Sequence, residues 1–421
     1  MTNPDWAETL MEARLQQRQK RGTLRRLPVS GSEAHNAVDA VDFASNDYLG
    51  LAQSKEQSQR VEQLFREAAA NQTSSLLGAT GSRLLSGDSS AFSQLEQYLA
   101  HVHGQPAALL CNSGYDANLS LVSSLACDVI LYDDLAHNSL HMGLRLWQSR
   151  AGQQEARPFA HNSVAALTRQ LQQSQVTGKK KVVILVESVY SMDGDCAPLQ
   201  EILDLAHTWD ARVVVDEAHS LGACGPTGLL ASLGLAHHPA LFAVVYTFGK
   251  AAGCHGAVIT GSQALKSYLI NFGYTFIYST ALPLHSLCTI QASYETMTSA
   301  RGDELRAHLK DLITFFQIRM QASLARLPDT DISLIPSSTA IQALVVPGNQ
   351  RCSAFCESIW RTSQRRIRLF PIKSPTVPVS RERVRIVLHA HNTRAQVHWL
   401  VDLLVESICH QLPATHVQSK L

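Results

Sequence analysis

No cysteine pattern, charge excess or long apolar run dominates this chain. Its nine cysteines are scattered, odd in number and without a C-x-x-C pair. That argues against a zinc ribbon or a disulfide framework and for a reducing compartment, and no metal site is expected. Cys352 and Cys356 lie one helical turn apart, a spacing that suits a buried helix face better than half of a metal site. Thirty-six Lys and Arg stand against 35 Asp and Glu, a net charge of +1. A general nucleic-acid binder needs a basic excess or stripe, so none is expected here. The longest apolar runs, such as 182–186, are strand-sized rather than membrane-spanning. There is no internal repeat and no low-complexity tract. What is present, 45% hydrophobic and 17% charged over 421 residues, can bury a sizeable core in two or three units.

The start of the chain has no apolar segment of the secretory type, and Asp5, Glu8 and Glu12 argue against a mitochondrial presequence. The last residues, Ser419-Lys420-Leu421, have the form of an address read by a peroxisomal import receptor. The expected location is therefore the peroxisome, and otherwise the cytoplasm.

The middle of the chain alternates strand-like and helix-like segments. Ala107–Cys111, 129–132, Val182–Glu187, Arg212–Asp216, 242–246 and 257–260 are short apolar runs. Continuous rather than alternating hydrophobicity suits strands covered on both faces of a mostly parallel sheet. Helix patterns separate them, at 164–171 behind Asn162 or Ser163 and at 199–206 behind Pro198. Outside this α/β core, 60–70 reads as a helix with Val61, Leu64, Phe65 and Ala68 on one face. A long helix is expected over 304–327, stopped by Pro328, and a strand over 384–388. A Thr393-x-x-Gln396 capping box opens a last helix through Ile408. The expected organisation is an N-terminal arm (1–45), a large α/β domain (46–290), a small α+β domain (291–412) and a tail (413–421).

Three strand-like segments end at Glu187, Asp216 and Thr247, and open α/β sheets bind ligands beyond those ends. Ser191, His219 and Lys250 follow them. Read alone, Asp216-Glu-Ala-His219 looks like a helicase Walker B motif, but no phosphate-binding G-x-x-x-x-G-K-[ST] precedes it. The same residues suit pyridoxal phosphate, which needs a lysine for its Schiff base and a carboxylate against its ring nitrogen. Asp216 is suited to the second need, and Lys250, flanked by Gly249, Ala251, Ala252 and Gly253, to the first. His219 could reach the ring hydroxyl. Ser113-Gly114-Tyr115 can open a helix and present backbone N–H groups to a phosphate, and Thr247 adds a hydroxyl. Read singly, Asp216 and Lys250 could also be solvated loop residues, and His137 a satisfied polar histidine.

The chain resembles the α-oxoamine synthases, fold-type I pyridoxal phosphate enzymes, from about residue 24 to residue 404. The motifs that carry the resemblance are Ser45-Asn-Asp-Tyr-Leu-Gly50, Gly81-Ser-Arg-Leu-Leu-Ser-Gly87, Asn112-Ser-Gly-Tyr115, Ser191-Met-Asp-Gly194, Asp216-Glu-Ala-His219, Thr247-Phe-Gly-Lys250, Tyr278-Ser-Thr280 and Pro375-Thr-Val-Pro378. The resemblance implies a homodimer with its active site at the subunit interface. Lys250 would carry the cofactor and shuttle the α-proton, Asp216 would pair with the ring nitrogen, His219 with the ring oxygen, and His137 would stack on the ring. Gly114, Tyr115, Ser191 and Thr247 would hold the cofactor, and Thr280 would reach the neighbouring subunit's phosphate.

The implied reaction joins an amino acid to an acyl-CoA. The pattern is most similar to the branch that condenses L-alanine with pimeloyl-CoA, with Arg25, Asn46 and Thr376 at substrate-contacting positions. Alternatives are a sibling with another amino acid or acyl chain, and a non-catalytic partner paralogue. Two departures bear on substrate preference. Lys373 stands where the family commonly has a carboxylate-gripping arginine, with Arg366 or Arg368 as possible substitutes, and Phe92 stands where relatives often have histidine.

Overall fold

The computed structural model describes residues 5–25, 27, 40–71, 75–149, 155–176, 180–327 and 330–411. The Ser419-Lys420-Leu421 end and Pro328 lie outside them. The chain divides into two units, Asn46–Leu309 and the combination of Met1–Ser45 with Lys310–Leu421. The N-terminal arm carries helix α1 (Trp6–Lys20), whose first turn is closed by the Asp5 side chain accepting from the Ala7 N–H at 2.9 Å. Among the described residues, no helix is long and apolar enough to cross a membrane.

The larger unit is built on a seven-stranded sheet: β1 (Ala107–Cys111), β2 (Val129–Asp133), β3 (Glu155–Phe159), β4 (Val182–Glu187), β5 (Arg212–Asp216), β6 (Leu241–Thr247) and β7 (Ala257–Gly261). Its order is β1-β7-β6-β5-β4-β2-β3, and only β7 runs antiparallel to its neighbours. Every residue of β1, β4 and β7 is buried, as expected of strands covered on both faces. The expected strands are all present. β3 is the one not anticipated: Glu-Ala-Arg-Pro-Phe is polar and contains proline, and it pairs only with β2 at the sheet edge. An edge strand needs neither an unbroken apolar run nor every N–H.

The helices between strands are α2 (Lys55–Asn71), α3 (Ser90–Val102), α4 (Gly114–Ser124), α5 (Asn138–Ser149), α6 (Val164–Val176), α7 (Leu199–Thr208), α8 (Leu229–Ser232), α9 (Gln263–Phe272), α10 (Tyr274–Ile277) and α11 (Leu284–Met297). Ser113 caps α4, its hydroxyl oxygen accepting from the Asp116 N–H at 3.1 Å. Ser163 serves α6 in the same way through the Ala166 N–H. Trp147 of α5 is 1% exposed and donates its ring N–H to the Leu125 carbonyl at 2.8 Å, so the largest core side chain leaves no polar atom stranded. The expected apolar face of α2 packs through Val61 and Leu64 on Leu284, Cys288 and Ala292 of α11. That packing draws α11 into the larger unit. The two units therefore meet at Leu309–Lys310, inside α12 (Ala300–Leu324), rather than at the expected 290–291.

The smaller unit holds a four-stranded antiparallel sheet of β8 (Ser333–Ile335), β9 (Ile341–Val345), β10 (Phe370–Ile372) and β11 (Arg383–Val387), in the order β10-β11-β9-β8. Helices α13 (Asn349–Thr362) and α14 (Arg394–Gln411) complete it. Cys352 and Cys356 are both buried on α13. The capping box forms as read: the Gln396 N–H donates to the Thr393 hydroxyl at 3.2 Å, and the Thr393 N–H to the Gln396 side chain at 2.9 Å.

Candidate active site

The parallel strands deliver their polar terminal residues to one end of the sheet. β4 and β5 place Glu187 directly opposite Asp216, and Thr247 ends the next strand, β6. Asp216 is 4% exposed. One of its oxygens accepts from Asn118 Nδ2 at 2.7 Å and the other from the Ala218 N–H at 2.9 Å. A buried carboxylate is tolerable only with such partners, and they fix its orientation. Beside it, burial first and the Asp216 charge second push the Glu187 carboxyl well above its ordinary range.

Asn118 also donates to the Ser139 hydroxyl at 2.9 Å. Ser139 in turn meets His137 Nδ1 twice, through its hydroxyl at 2.7 Å and its N–H at 3.2 Å. Donors aimed at Nδ1 leave the ring proton on Nε2. Burial lowers the His137 pKa, outweighing the nearby Asp216 charge. The ring is thus a neutral imidazole beside Asp216, with Tyr115 edge-on at 6.5 Å.

A second chain of contacts starts at Lys250. Its Nζ donates to His219 Nε2 at 2.7 Å, and His219 Nδ1 faces the Tyr48 hydroxyl at 2.5 Å. Tyr48, fully buried, donates onward to Asn46 Oδ1 at 3.3 Å. Four side chains from three segments thus form one hydrogen-bonded line. Its far end, Asn46, is an expected substrate-contacting residue.

At the start of α4, the Gly114 Cα lies so close to Thr247 that an added Cβ would sit 3.0 Å from the threonine Cβ. Glycine suits this position because of close approach rather than backbone angle: a larger residue would need the threonine to give by a few tenths of an ångström. The cap on α4 uses the Asp116 N–H, and among the described residues the Gly114 and Tyr115 N–H groups have no recorded acceptor. Such N–H groups at a helix start, beside the Thr247 hydroxyl, have the chemistry to hold an anion. Asn112 Nδ2 holds the Thr280 carbonyl at 2.8 Å, while Thr280 itself is exposed. Ser191 is half-buried in a turn closed by the Gly194 N–H donating to the Tyr190 carbonyl at 2.9 Å.

That turn is tied to the sheet by a cluster the sequence reading did not anticipate. His161 Nδ1 meets Asp133 at the end of β2, and its Nε2 meets Asp195, both at 2.8 Å. Asn162 adds bonds to the same two carboxylates, 2.8 Å from its N–H and 2.7 Å from its side chain. Burial alone would lower the imidazole's pKa. The two carboxylates' hydrogen bonds and charges outweigh it and raise the pKa to about 10. His161 is therefore a standing cation between the strand end that leads to His137 and the turn that carries Ser191.

Among the expected residues, His137, Asp216, His219, Lys250, Gly114, Tyr115, Ser191, Thr247, Thr280 and Asn46 all lie in the larger unit. Arg25, Lys373 and Thr376 lie in the smaller one. Arg25 is exposed. Lys373 Nζ donates to the Gly22 carbonyl at 3.1 Å, and the Thr376 N–H to the Lys373 carbonyl at 2.9 Å. The possible substitutes for the missing arginine are engaged with aromatic rings, Arg366 over Trp399 at 5.1 Å and Arg368 over Phe370 at 5.5 Å. Phe92, in the place of a frequent histidine, is covered by the Arg83 guanidinium at 4.4 Å. Tyr48, Asn118, Ser139 and His161 were missed as site residues. Tyr48 lies within the Ser45–Gly50 motif, and Asn118 is one of several polar residues of α4, with Asp116, Ser120, Ser123 and Ser124, so composition does not single it out.

The pattern that describes the aminotransferase class I and II family matches residues 38–404. An 8-amino-7-oxononanoate synthase of Emericella nidulans is 35% identical over 87% of this chain and 88% of its own length. One from Dechloromonas aromatica is 36% identical over 88% and 90%. Among solved structures, the chain is similar to a serine palmitoyltransferase of S. paucimobilis with bound PLP-myriocin aldimine. That likeness has a TM-score of 0.79 and 22% identity, and covers 96% of this chain and 98% of that one. It is also similar to the 8-amino-7-oxononanoate synthase of Francisella tularensis, with a TM-score of 0.69, 24% identity and coverage of 88% and 98%. These two share its fold. With the family pattern spanning most of its length and close relatives above one-third identity, the chain belongs to the aminotransferase class I and II family, among its α-oxoamine synthases.

Proposed function

We propose that the protein condenses L-alanine with pimeloyl-CoA, releasing CoA and carbon dioxide and forming 8-amino-7-oxononanoate. The observation that carries this reading is the Lys250 amine held 2.7 Å from His219, in the same strand-end site as the buried, twice-bonded Asp216. The names of the relatives support the choice of substrates.

The residues fit pyridoxal phosphate: a lysine, an oriented carboxylate, a flat neutral imidazole and an anion-binding helix start face one strand end. The bound cofactor supplies an electron sink for negative charge at the amino acid's α-carbon. Asp216 holds a proton at the ring nitrogen, its own geometry fixed by Asn118 and Ala218. His137 offers the ring a flat imidazole. Gly114, Tyr115, Thr247 and Ser191 bind and orient the cofactor. Lys250 Nζ moves the α-proton, and the line through His219 and Tyr48 holds that amine in place. Arg25, Asn46, Lys373 and Thr376 bind substrate, with Lys373 gripping a carboxylate by charge but without arginine's two-pronged fork.

The protein acts as a homodimer in this proposal, with Thr280 turned toward the neighbouring subunit's phosphate. Its destination is the peroxisome, through an import receptor that reads Ser419-Lys420-Leu421. A fluorescent fusion ending in these residues should collect in peroxisomes, and one ending in Ser419-Lys420 alone should stay outside.

The deciding experiment supplies the purified protein with cofactor, L-alanine and pimeloyl-CoA, and follows free CoA and the amino ketone by mass spectrometry. Product formation supports the reading. CoA release only with another amino acid or acyl-CoA moves the protein to a sibling activity. No turnover together with no cofactor uptake identifies a non-catalytic paralogue.

A further inference from the structure

The larger unit has a second cavity that its proposed chemistry does not use. About 400 Å3 in volume, it opens at the amino ends of β4, β5 and β6. Lys181 and Glu187 bracket β4, so the mouth and the catalytic end are separated by on the order of 20 Å. Leu121 of α4, Leu125 just after that helix, Leu265 and Leu269 of α9, and Val183 of β4 form its floor, and all five are buried. This volume falls in the range of small-molecule sites, and an apolar floor with few polar groups is their usual lining.

The mouth supplies the polar groups. Lys181, Arg212 and Asp210 line it, two cations to one carboxylate. Asp210 shares itself between them at 3.9 Å from Lys181 and 3.4 Å from Arg212. A second carboxylate, Asp128, is close by and accepts the Lys181 backbone N–H at 2.6 Å. The recorded hydrogen bond of the Arg212 guanidinium leaves through Nη1 to the Ala211 carbonyl at 3.0 Å. Among the described residues, no hydrogen bond leaves through Nε or Nη2. That edge is the one that grips a carboxylate with two parallel N–H bonds.

An apolar floor with a guanidinium at its mouth suits a straight aliphatic chain bearing a single carboxylate. We propose that this cavity is a binding site for free medium-chain aliphatic carboxylates, with the chain on the leucine floor and the head group on Arg212. The proposal stands independently of the substrates assigned to the catalytic end.

Calorimetric titration of the cofactor-loaded protein with saturated carboxylates of increasing length tests it. Each added methylene should tighten binding about fourfold until the floor is covered. The alcohol of equal length should bind at least tenfold more weakly. Arg212→Ala should erase that difference while leaving the length dependence. Ala126→Trp and Ala264→Trp, each at an exposed residue lining the cavity, should abolish binding with turnover unchanged. Affinity that ignores chain length, equal binding of acid and alcohol, or survival of binding in both tryptophan variants overturns the proposal. So does displacement of the carboxylate by pimeloyl-CoA, which would put it at the catalytic end.

Discussion

Replacing His161 with glutamine removes a cation and leaves two carboxylates facing each other. The wild-type ring is 21% exposed and the Asp133 side chain 0%. Its pKa stands at about 10, against about 6.5 in an unfolded chain. The folded state thus holds a proton that the unfolded state releases. Its stabilisation is complete below pH 6.5 and is lost as the pH rises through 10. Between those limits the linkage slope is about 1.4 kcal/mol per pH unit, falling with pH. Over the whole window that reaches about 5 kcal/mol, or about 3 kcal/mol once solvent screening at the partly open ring is allowed for. Urea unfolding of wild type and His161→Gln at pH 7, 8 and 9 measures the difference. The wild-type advantage should be largest at pH 7 and shrink by about 1 kcal/mol or more at each step. Nitrogen-15 NMR of labelled histidine should show one imidazolium persisting past pH 9 in the wild type and missing from the variant. A pH-independent stability gap, or a His161 signal that titrates near pH 6.5, would refute the reasoning.

Three further outcomes follow from the site. Lys250→Ala should lose all measurable turnover while still retaining cofactor non-covalently, checked by the CoA-release assay and by absorbance of the desalted protein. Asp216→Asn should lower kcat by about a hundredfold or more, because the neutral amide no longer stabilises charge at the ring nitrogen; unchanged turnover would assign that task to another group. Tyr48→Phe removes the hydroxyl that faces the buried His219 Nδ1, a loss of about 1 kcal/mol. It should cut kcat/KM about tenfold and displace the pH–rate profile, and an unshifted profile would remove Tyr48 from the Lys250 line.

The sheet was legible because its strands are short, apolar on both faces and closed by polar residues. A strand such as Val182–Glu187 has no other way to be buried. β3 escaped because an edge position relaxes that demand. Within the candidate site, the residues whose type chemistry fixes, Lys250 and Asp216, were the ones the sequence singled out. The site was illegible where a side chain acts by holding another. Asn118 lies 98 residues from Asp216 in sequence, and His161 lies 28 and 34 residues from its two carboxylates. No spacing rule joins such positions. The unit boundary was misplaced for a similar reason, because α11 is assigned by what it packs against and not by its own composition.

By itself, the sequence determined six of the seven strands of the large sheet, its mostly parallel character and the family. All of these follow from local periodicity and from short motifs whose members act together. Only the tertiary structure decided how protons and charges are arranged at the site: the line from Lys250 to Asn46, the neutral His137, the clamped His161 and the second cavity at the far end of the sheet. Those depend on distances of a few ångströms between groups far apart in the chain, and on burial, which sets the cost of every unpaired charge.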